Sequence, residues 1–322
     1  MYWLAIWIQL LTRSHLNIKL SSWLILARSD FVVNGDDTIT WGELLRVSAA
    51  ELDSEQEARW LCENASGLER GEFDAARDEV VSERCGVALR AMIAQRLAGE
   101  PLQYVMKSWA FRHLDILVDS RVLIPRPETE VVVQAALDLA VEMMRNRKTK
   151  LRVADLGTGS GVIGLSLASE LPRGSTEVWL TDLSADALEV ARANLAGSGL
   201  IDGDVRIVQG SWFAALPSEQ KNSFDMVVSN PPYIGLYDLS VEASVRDHEP
   251  HLALFAGADG LDAYREIISQ AGDWLVTDGW LVLEIGHQQG DAVHELLTQN
   301  NFTQIEIRQD LAGRDRIALA KI

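Results

Sequence analysis

Four consecutive residues, Asn230-Pro231-Pro232-Tyr233, carry the strongest chemical signal in the chain. They end the apolar run FDMVVSN, which reads as a buried strand. An Asn side-chain carbonyl and a backbone carbonyl can both accept hydrogen bonds from one NH2 group. Together they hold the nitrogen, disfavour conjugation of its lone pair, and stabilise positive charge as it develops. Pro231 and Pro232 have fixed φ and no N–H, so the turn is rigid and its carbonyls can aim at a ligand. Tyr233 offers a flat face to a planar acceptor. Asn230, Pro231 and Tyr233 are therefore the catalytic candidates, and Asn230 to Tyr233, including Pro232, the acceptor-binding ones. The pattern suits group transfer to a planar amide or amine nitrogen. No general base is evident, and the proton can leave to water. Alone, the tetrapeptide also reads as a tight Pro-Pro turn after a strand.

A second motif lies upstream. Asp155-Leu156-Gly157-Thr158-Gly159-Ser160-Gly161 follows the strand-like LRVADL and opens the helical SGVIGLSLASEL. Glycines there allow a sharp turn and close approach of a ligand to the backbone. The next strand-like run, EVWLTD, ends in Asp182, placed to take the ribose hydroxyls of a nucleoside. Gly159 to Gly164 also matches GxGxxG, which suits NAD equally well. The acid at the head of the loop and its alternating glycines resemble the loop of methyltransferases of this fold, whose pattern the helix SADALEVARANL after Asp182 continues, and that resemblance favours S-adenosyl-L-methionine. Bare phosphate binding is disfavoured, since no Lys-Ser/Thr follows the glycines. A methyl group leaves sulfonium by in-line displacement, which is the geometry a held nitrogen serves.

The elements that position these residues follow from periodicity. Thr40-Trp41-Gly42-Glu43 has the form of a capping box. From there to Gly99 apolar residues recur at three- and four-residue spacing, as in a small helical bundle. Residues 103–124 alternate and are rich in β-branched and aromatic types, which predicts two short strands. Pro127 with the acids after it starts a helix through VVVQAALDLAVEMMRN. Beyond Lys150, LRVADL, EVWLTD, VRIVQ, FDMVVSN and WLVLEIG alternate with helical segments, among them LDAYREIISQAGDWLV and QGDAVHELLTQ. That alternation predicts a mostly parallel, doubly wound sheet. TQIEIRQD and DRIALAKI have no helix between them and should pair antiparallel.

Composition narrows the partners. A formal net charge of −18, with no Lys/Arg-rich run, disfavours direct nucleic-acid binding. Cys62 and Cys85 have no metal-ligand spacing and read as free thiols of a reducing cytosol. His248, His251 and His287 show no metal spacing either, so no metal site is expected. Residues 1–33 are apolar and Trp-rich, but the uninterrupted apolar part is too short to span a bilayer, which needs about 20 residues. The segment reads as an upstream extension of the true start; an extra packed helix and a membrane-surface anchor are the alternatives. Unless it is such an anchor, no membrane association is expected.

With these motifs in place, residues 40–322 resemble the HemK/PrmC family of protein-(glutamine-N5) methyltransferases, which modify peptide chain release factors. The resemblance runs through Gly99-Glu100-Pro101-Leu102-Gln103-Tyr104, Val122 to Glu130 (VLIPRPETE), DLGTGSG, SNPPYI, Glu249-Pro250, DGLDAYR and LEIGHQQG. IPRPETE is the specific part, because adenine-N6 methyltransferases share NPPY. It implies a class I, Rossmann-like α/β methyltransferase domain with a seven-stranded sheet over 126–322. Before it would come an apolar extension (1–36), a helical docking domain (37–100) and a β-hairpin linker (101–125). It further implies a cytoplasmic, S-adenosyl-L-methionine-dependent enzyme, expected to be a monomer, that methylates the glutamine of a Gly-Gly-Gln loop. By the same resemblance Gly157, Thr158, Gly159, Ser160, Gly161, Asp182, Trp212 and Asn230 contact the cofactor. Trp212 would wall the adenine, although a core tryptophan after a strand reads the same way. Lys107 stands where the family has Gly after QY-x-x, and Ala256 replaces one Gly of a pair. Glu284 ends a strand and either lines the pocket or serves structure alone; Arg126, Glu128 and Glu130 read as capping and packing. A ribosomal-protein glutamine methyltransferase shares nearly every motif. An adenine-N6 DNA methyltransferase would need a recognition domain and basic surface that are not evident. An NAD-linked oxidoreductase leaves NPPY unexplained, and an intact Asn230 argues against a non-catalytic binding module.

Overall fold

The computed structural model describes residues 38–145, 149–200, 204–238 and 241–322, and the apolar opening segment lies outside them. The chain divides into two compact units, Met1–Gly99 and Glu100–Ile322.

In the first unit, α1 (Trp41–Leu52) begins with the expected capping box: the Glu43 amide donates to Thr40 Oγ1 at 3.3 Å and the Thr40 amide to Glu43 Oε2 at 3.0 Å. α2 (Glu55–Ser66), α3 (Arg70–Ala75) and α4 (Glu83–Leu97) follow. Leu61, Phe73 and Leu89 are fully buried between them, with Trp41 edge-on to Phe73. Burying each such side chain contributes about 1.5–3 kcal/mol.

The second unit opens differently from the expected pair of strands over 103–124. Pro101 caps a short helix, α5 (Leu102–Met106), which buries Leu102, Tyr104 and Val105. Lys107 ends it in the left-handed region at φ 56°. Only then comes the hairpin, β1 (Ser108–Phe111) with β2 (Leu114–Leu117), paired antiparallel. The apolar residues of LQYVM fit one helical turn, and the fixed φ of Pro101 favours the helix.

α6 (Pro127–Met144) starts on its proline, as expected. Beyond it lie β3 (Leu151–Leu156), α7 (Val162–Glu170), β4 (Thr176–Asp182), α8 (Ala185–Gly197), β5 (Val205–Gln209) and β6 (Phe224–Ser229). Two short helices, α9 (Ala243–His248) and α10 (His251–Leu254), precede α11 (Asp262–Ala271), β7 (Leu275–Glu284), α12 (Gly290–Gln299), β8 (Thr303–Gln309) and β9 (Asp315–Lys321). The helix expected to continue to Val276 ends at Ala271, and β7 begins at Leu275 rather than at Trp280; Trp274 and Leu275 sit in the core beside Phe224.

The seven strands are ordered β5-β4-β3-β6-β7-β9-β8. β5 to β7 are parallel, and β9 pairs antiparallel with both β7 and β8. Alternate residues face opposite sides. Val153, Met226 and Val228 thus pack on α6 and α7, while Ala154, Leu156 and Val227 pack towards α11 and α12. Strand order reverses between β3 and β6, the switch point where open α/β sheets bind ligands. Among the described residues no helix is long and apolar enough to cross a membrane.

Candidate active site

The sheet register sets the site. Leu156 pairs with Thr181 on one side and Ser229 on the other, and Ser229 pairs with Leu283. The next residue of each strand or strand end therefore forms one row across β4, β3, β6 and β7: Asp182, Gly157, Asn230 and Glu284. Ser229 Oγ donates to the Leu156 carbonyl at 2.6 Å and locks the centre of that row.

A cavity of about 450 Å³ lies over this edge, within the range usual for small-molecule sites. Gly157, Thr158, Gly159, Ser160, Asp182, Trp212, Asn230 and Pro232 all line it. Gly161 does not; it caps α7 at φ 89°. The loop is held from below by Asp155, whose Oδ2 accepts from Thr158 Oγ1 at 2.6 Å and from the Gly164 amide at 2.9 Å. Burial pushes the Asp155 carboxyl up to about 7, although the Thr158 and Gly164 donors pull it down. Asn194 fastens the loop to the hairpin, donating to the Ser160 and Leu117 carbonyls while accepting from the Leu117 amide.

Asp182 accepts from the Gly159 amide at 2.9 Å and the Ser184 amide at 2.8 Å, so its carboxylate is oriented by backbone at the cavity wall. Burial raises its pKa. Trp212 stands in the left-handed region at φ 42°, a conformation that costs a residue with a side chain about 1–2 kcal/mol. The core position next to it belongs to Phe213, which stacks on Trp274 at 5.6 Å. Trp212 is thus half-buried and turned to the cavity, and a Cβ on Gly157 would come within 3.1 Å of its ring. Bare glycine backbone, an oriented carboxylate and an aromatic wall form a fitting cradle for a nucleoside-bearing cofactor.

Asn230 also lines a second cavity of about 100 Å³, shared with Leu123, Arg126, Tyr233 and Glu284. Pro231 is buried and Tyr233 faces this smaller space, so neither lines the large cavity. Asn230 Nδ2 donates to Thr129 Oγ1 at 3.3 Å, and Thr129 Oγ1 donates to Glu284 Oε2 at 2.7 Å. Glu284 is 1% exposed. Its buried carboxyl is pushed up to about 7, against the pull of the Thr129 hydroxyl and of Arg316. Tyr233 is fixed at its carbonyl by Gln289 Nε2 at 3.0 Å, and its phenol lies 3.5 Å from Arg316 Nη1. Gly260, at φ 75°, passes so close that a Cβ would strike the Tyr233 carbonyl.

Thr129, Glu249 and Gln289 were not singled out as site residues by sequence, although all three fall in segments that carry the family resemblance. Glu249 is buried and accepts from the Ile124 amide at 3.1 Å and from Arg126 at 2.5 Å, tying the IPRP turn to the segment before α10. The pairing assigns Arg126 to this clasp and leaves Glu130 to accept from the Arg112 amide. Among the described residues no three His, Cys, Asp or Glu side chains converge as a metal ion requires.

Comparison with known proteins shows the family. A family model described as PrmC N-terminal domain matches residues 39–106, and one described as Methyltransferase small domain matches residues 130–244. A release factor glutamine methyltransferase of Francisella tularensis is 35% identical over 88% of this chain and 98% of its own length. The one from Xylella fastidiosa strain Temecula1 is 37% identical over 86% and 96%. A crystal structure of a release factor-specific protein-(glutamine-N5) methyltransferase from Alicyclobacillus acidocaldarius is 27% identical, covering 62% of this chain and 93% of that one, with a TM-score of 0.39. With such identity over nearly its whole described length, the chain belongs to the release factor glutamine methyltransferase family.

Proposed function

We propose that this enzyme transfers a methyl group from S-adenosyl-L-methionine to the side-chain amide nitrogen of the glutamine in the Gly-Gly-Gln motif of peptide chain release factors. The observation that carries the reading is the row Asp182-Gly157-Asn230-Glu284, with Asn230 bordering both cavities. Gly157, Thr158, Gly159, Ser160, Asp182, Trp212 and Asn230 hold the cofactor, with Gly161 shaping the loop from outside the lining. When bound, S-adenosyl-L-methionine supplies an electrophilic methyl group on sulfonium.

The chain's own residues prepare the nitrogen. Asn230 Oδ1 and the Pro231 carbonyl accept the two N–H bonds of the glutamine amide, reduce its planarity and stabilise the charge it gains. Pro231 and Pro232 keep those acceptors rigid, and Tyr233 shapes the amide's surroundings from the smaller cavity. One proton leaves the nitrogen to water after transfer. The helical domain of residues 37–100 docks the release factor. Function in the cytoplasm as a monomer, without direct nucleic-acid contact, completes the reading; residues 1–33 lie outside the described residues.

Incubation with isotope-labelled cofactor and purified release factor, ribosomal protein and DNA, followed by mass mapping, tests it. Label is expected on the Gly-Gly-Gln glutamine. Label on ribosomal protein alone would make the enzyme a ribosomal-protein glutamine methyltransferase, and label on DNA an adenine-N6 one.

A further inference from the structure

The row across the sheet holds one group the reaction above does not use. Glu284 is almost fully buried behind Asn230, and Thr129 lies between them. We propose that Thr129 and Glu284 are positioning residues whose hydrogen-bond relay turns the Asn230 amide so that its carbonyl, rather than its NH2, faces the acceptor nitrogen. The proposal rests on the reading of Asn230 as the group that holds the acceptor.

The polarity follows from proton counting. A hydroxyl has one proton to give and lone pairs to receive. Ionised Glu284 accepts only, so the Thr129 proton goes to Glu284 Oε2, at 2.7 Å. The Thr129 oxygen can then only accept, and the Asn230 group that meets it at 3.3 Å is the NH2. Asn230 Oδ1 is thereby left to the opposite side. An acceptor amide must be met by carbonyl oxygens, because its own N–H groups donate. A reversed Asn230 would present N–H to N–H and lose the contact.

A protonated Glu284 can donate to Thr129, which frees the Thr129 proton for Asn230 Oδ1 and competes with the acceptor for that oxygen. The charged and titratable groups around Glu284 are Arg316 on β9, Arg126 and Glu128 at the start of α6, and the Tyr233 phenol; the Tyr264 hydroxyl donates to its backbone carbonyl at 3.1 Å. Arg126 and Arg316 favour the ionised form and Glu128 opposes it. The relay therefore works on the alkaline side of the Glu284 titration, and kcat should rise with pH through it.

The test measures kcat at saturating cofactor and release factor, because Thr129 also lines the larger cavity. Thr129→Val keeps the shape and removes the hydroxyl. A small misplacement of a reacting group costs up to about 100-fold, so a fall of about 10- to 100-fold is expected, with Thr129→Ser restoring kcat to within a few-fold. Glu284→Gln keeps an oxygen to accept the Thr129 proton but cannot titrate, so the rise of kcat with pH should vanish while the rate on the plateau falls less than in Thr129→Val. Wild-type kcat in Thr129→Val, equal damage in Thr129→Val and Thr129→Ser, or an unchanged pH limb in Glu284→Gln would overturn the relay. Asn230→Ala separates the two levels: if it turns over normally, the holding role itself fails, whereas a dead Asn230→Ala beside a normal Thr129→Val removes the relay alone.

Discussion

The two halves of the site sit side by side on one sheet edge but are built in opposite ways. The glycine-loop half is local: Thr158 and Gly164 both donate to Asp155 within nine residues, and Asp182 closes the loop from the adjacent strand. The acceptor half is assembled from distant segments: Thr129 reaches Glu284 across 155 positions, Asn230 reaches Thr129 across 101, and Ile124 reaches Glu249 across 125. Each half buries a carboxyl beside a threonine hydroxyl, and each of these carboxyls is pushed up to about 7. In the loop the threonine is part of the same turn, so the bond secures backbone. In the acceptor half it links a strand end, through Thr129, to the Asn230 side chain, so on the proposed reading the bond can set chemistry.

The largest expected effect separates the halves by what each binds. Asn230→Ala should lower turnover by about 100- to 1000-fold, the range seen when one donor or acceptor at a developing charge is lost. Cofactor affinity, measured by calorimetry, should change far less. Asp182→Asn loses the negative charge and keeps only one of the two oxygens that accept separately from the Gly159 and Ser184 amides. It should weaken cofactor binding by about 10-fold, the worth of roughly 1.4 kcal/mol of charge-assisted hydrogen bonding, with kcat near wild type at saturation. Loss of affinity in the first variant and of turnover in the second would reverse the assignment.

A smaller effect sharpens the comparison of the two buried carboxyls. Each has a folded-state pKa above its unfolded value of about 4. The native state then binds more protons between about pH 4 and pH 7. The stability each supplies is present in full below about pH 4 and is lost as pH rises through about 7. Asp155→Asn and Glu284→Gln should therefore both gain stability relative to wild type between pH 5 and pH 8, as read from urea midpoints. Only Glu284→Gln should also change the pH dependence of kcat. A pH-independent difference in both variants would mean that neither carboxyl holds its proton in the fold.

This contrast also explains what the sequence disclosed. The capping box at Thr40, Pro127 at the head of α6 and the strand-glycine-helix run after Leu151 rest on neighbours a few residues apart, and short-range periodicity carries them. The order of those strands brought Asp182, the glycine loop and Asn230 to one edge without further information. Thr129, Glu249 and Gln289 each bond a site partner 56 or more positions away. No spacing rule marks such residues, and within VLIPRPETE a threonine in the first helical turn reads as capping. Trp212 was ambiguous for a related reason: only the structure reveals that Phe213 takes the core position and leaves the indole to the cavity.

The smallest effect tests a place where local sequence and backbone disagree. Lys107 ends α5 at φ 56°, donating its amide to the Tyr104 carbonyl at 3.3 Å, and its side chain is exposed. This is the αL position that follows a helix, where glycine is favoured because it has no Cβ to clash. The left-handed conformation costs an L-residue about 1–2 kcal/mol, while glycine gives back up to about 1 kcal/mol through the freedom it adds to the unfolded chain. The Lys107 charge lies near the half-buried Asp119, but the lysine itself is exposed and such a pair contributes little. Lys107→Gly should therefore stabilise the protein by roughly 0.5–1 kcal/mol, read as a rise of about 1–4 °C in Tm, with kcat and cofactor affinity unchanged. Because the turn feeds directly into the β1–β2 hairpin that Asn194 fastens to the glycine loop, a change in cofactor affinity instead would show that the strained lysine tunes the loop half through that fastening.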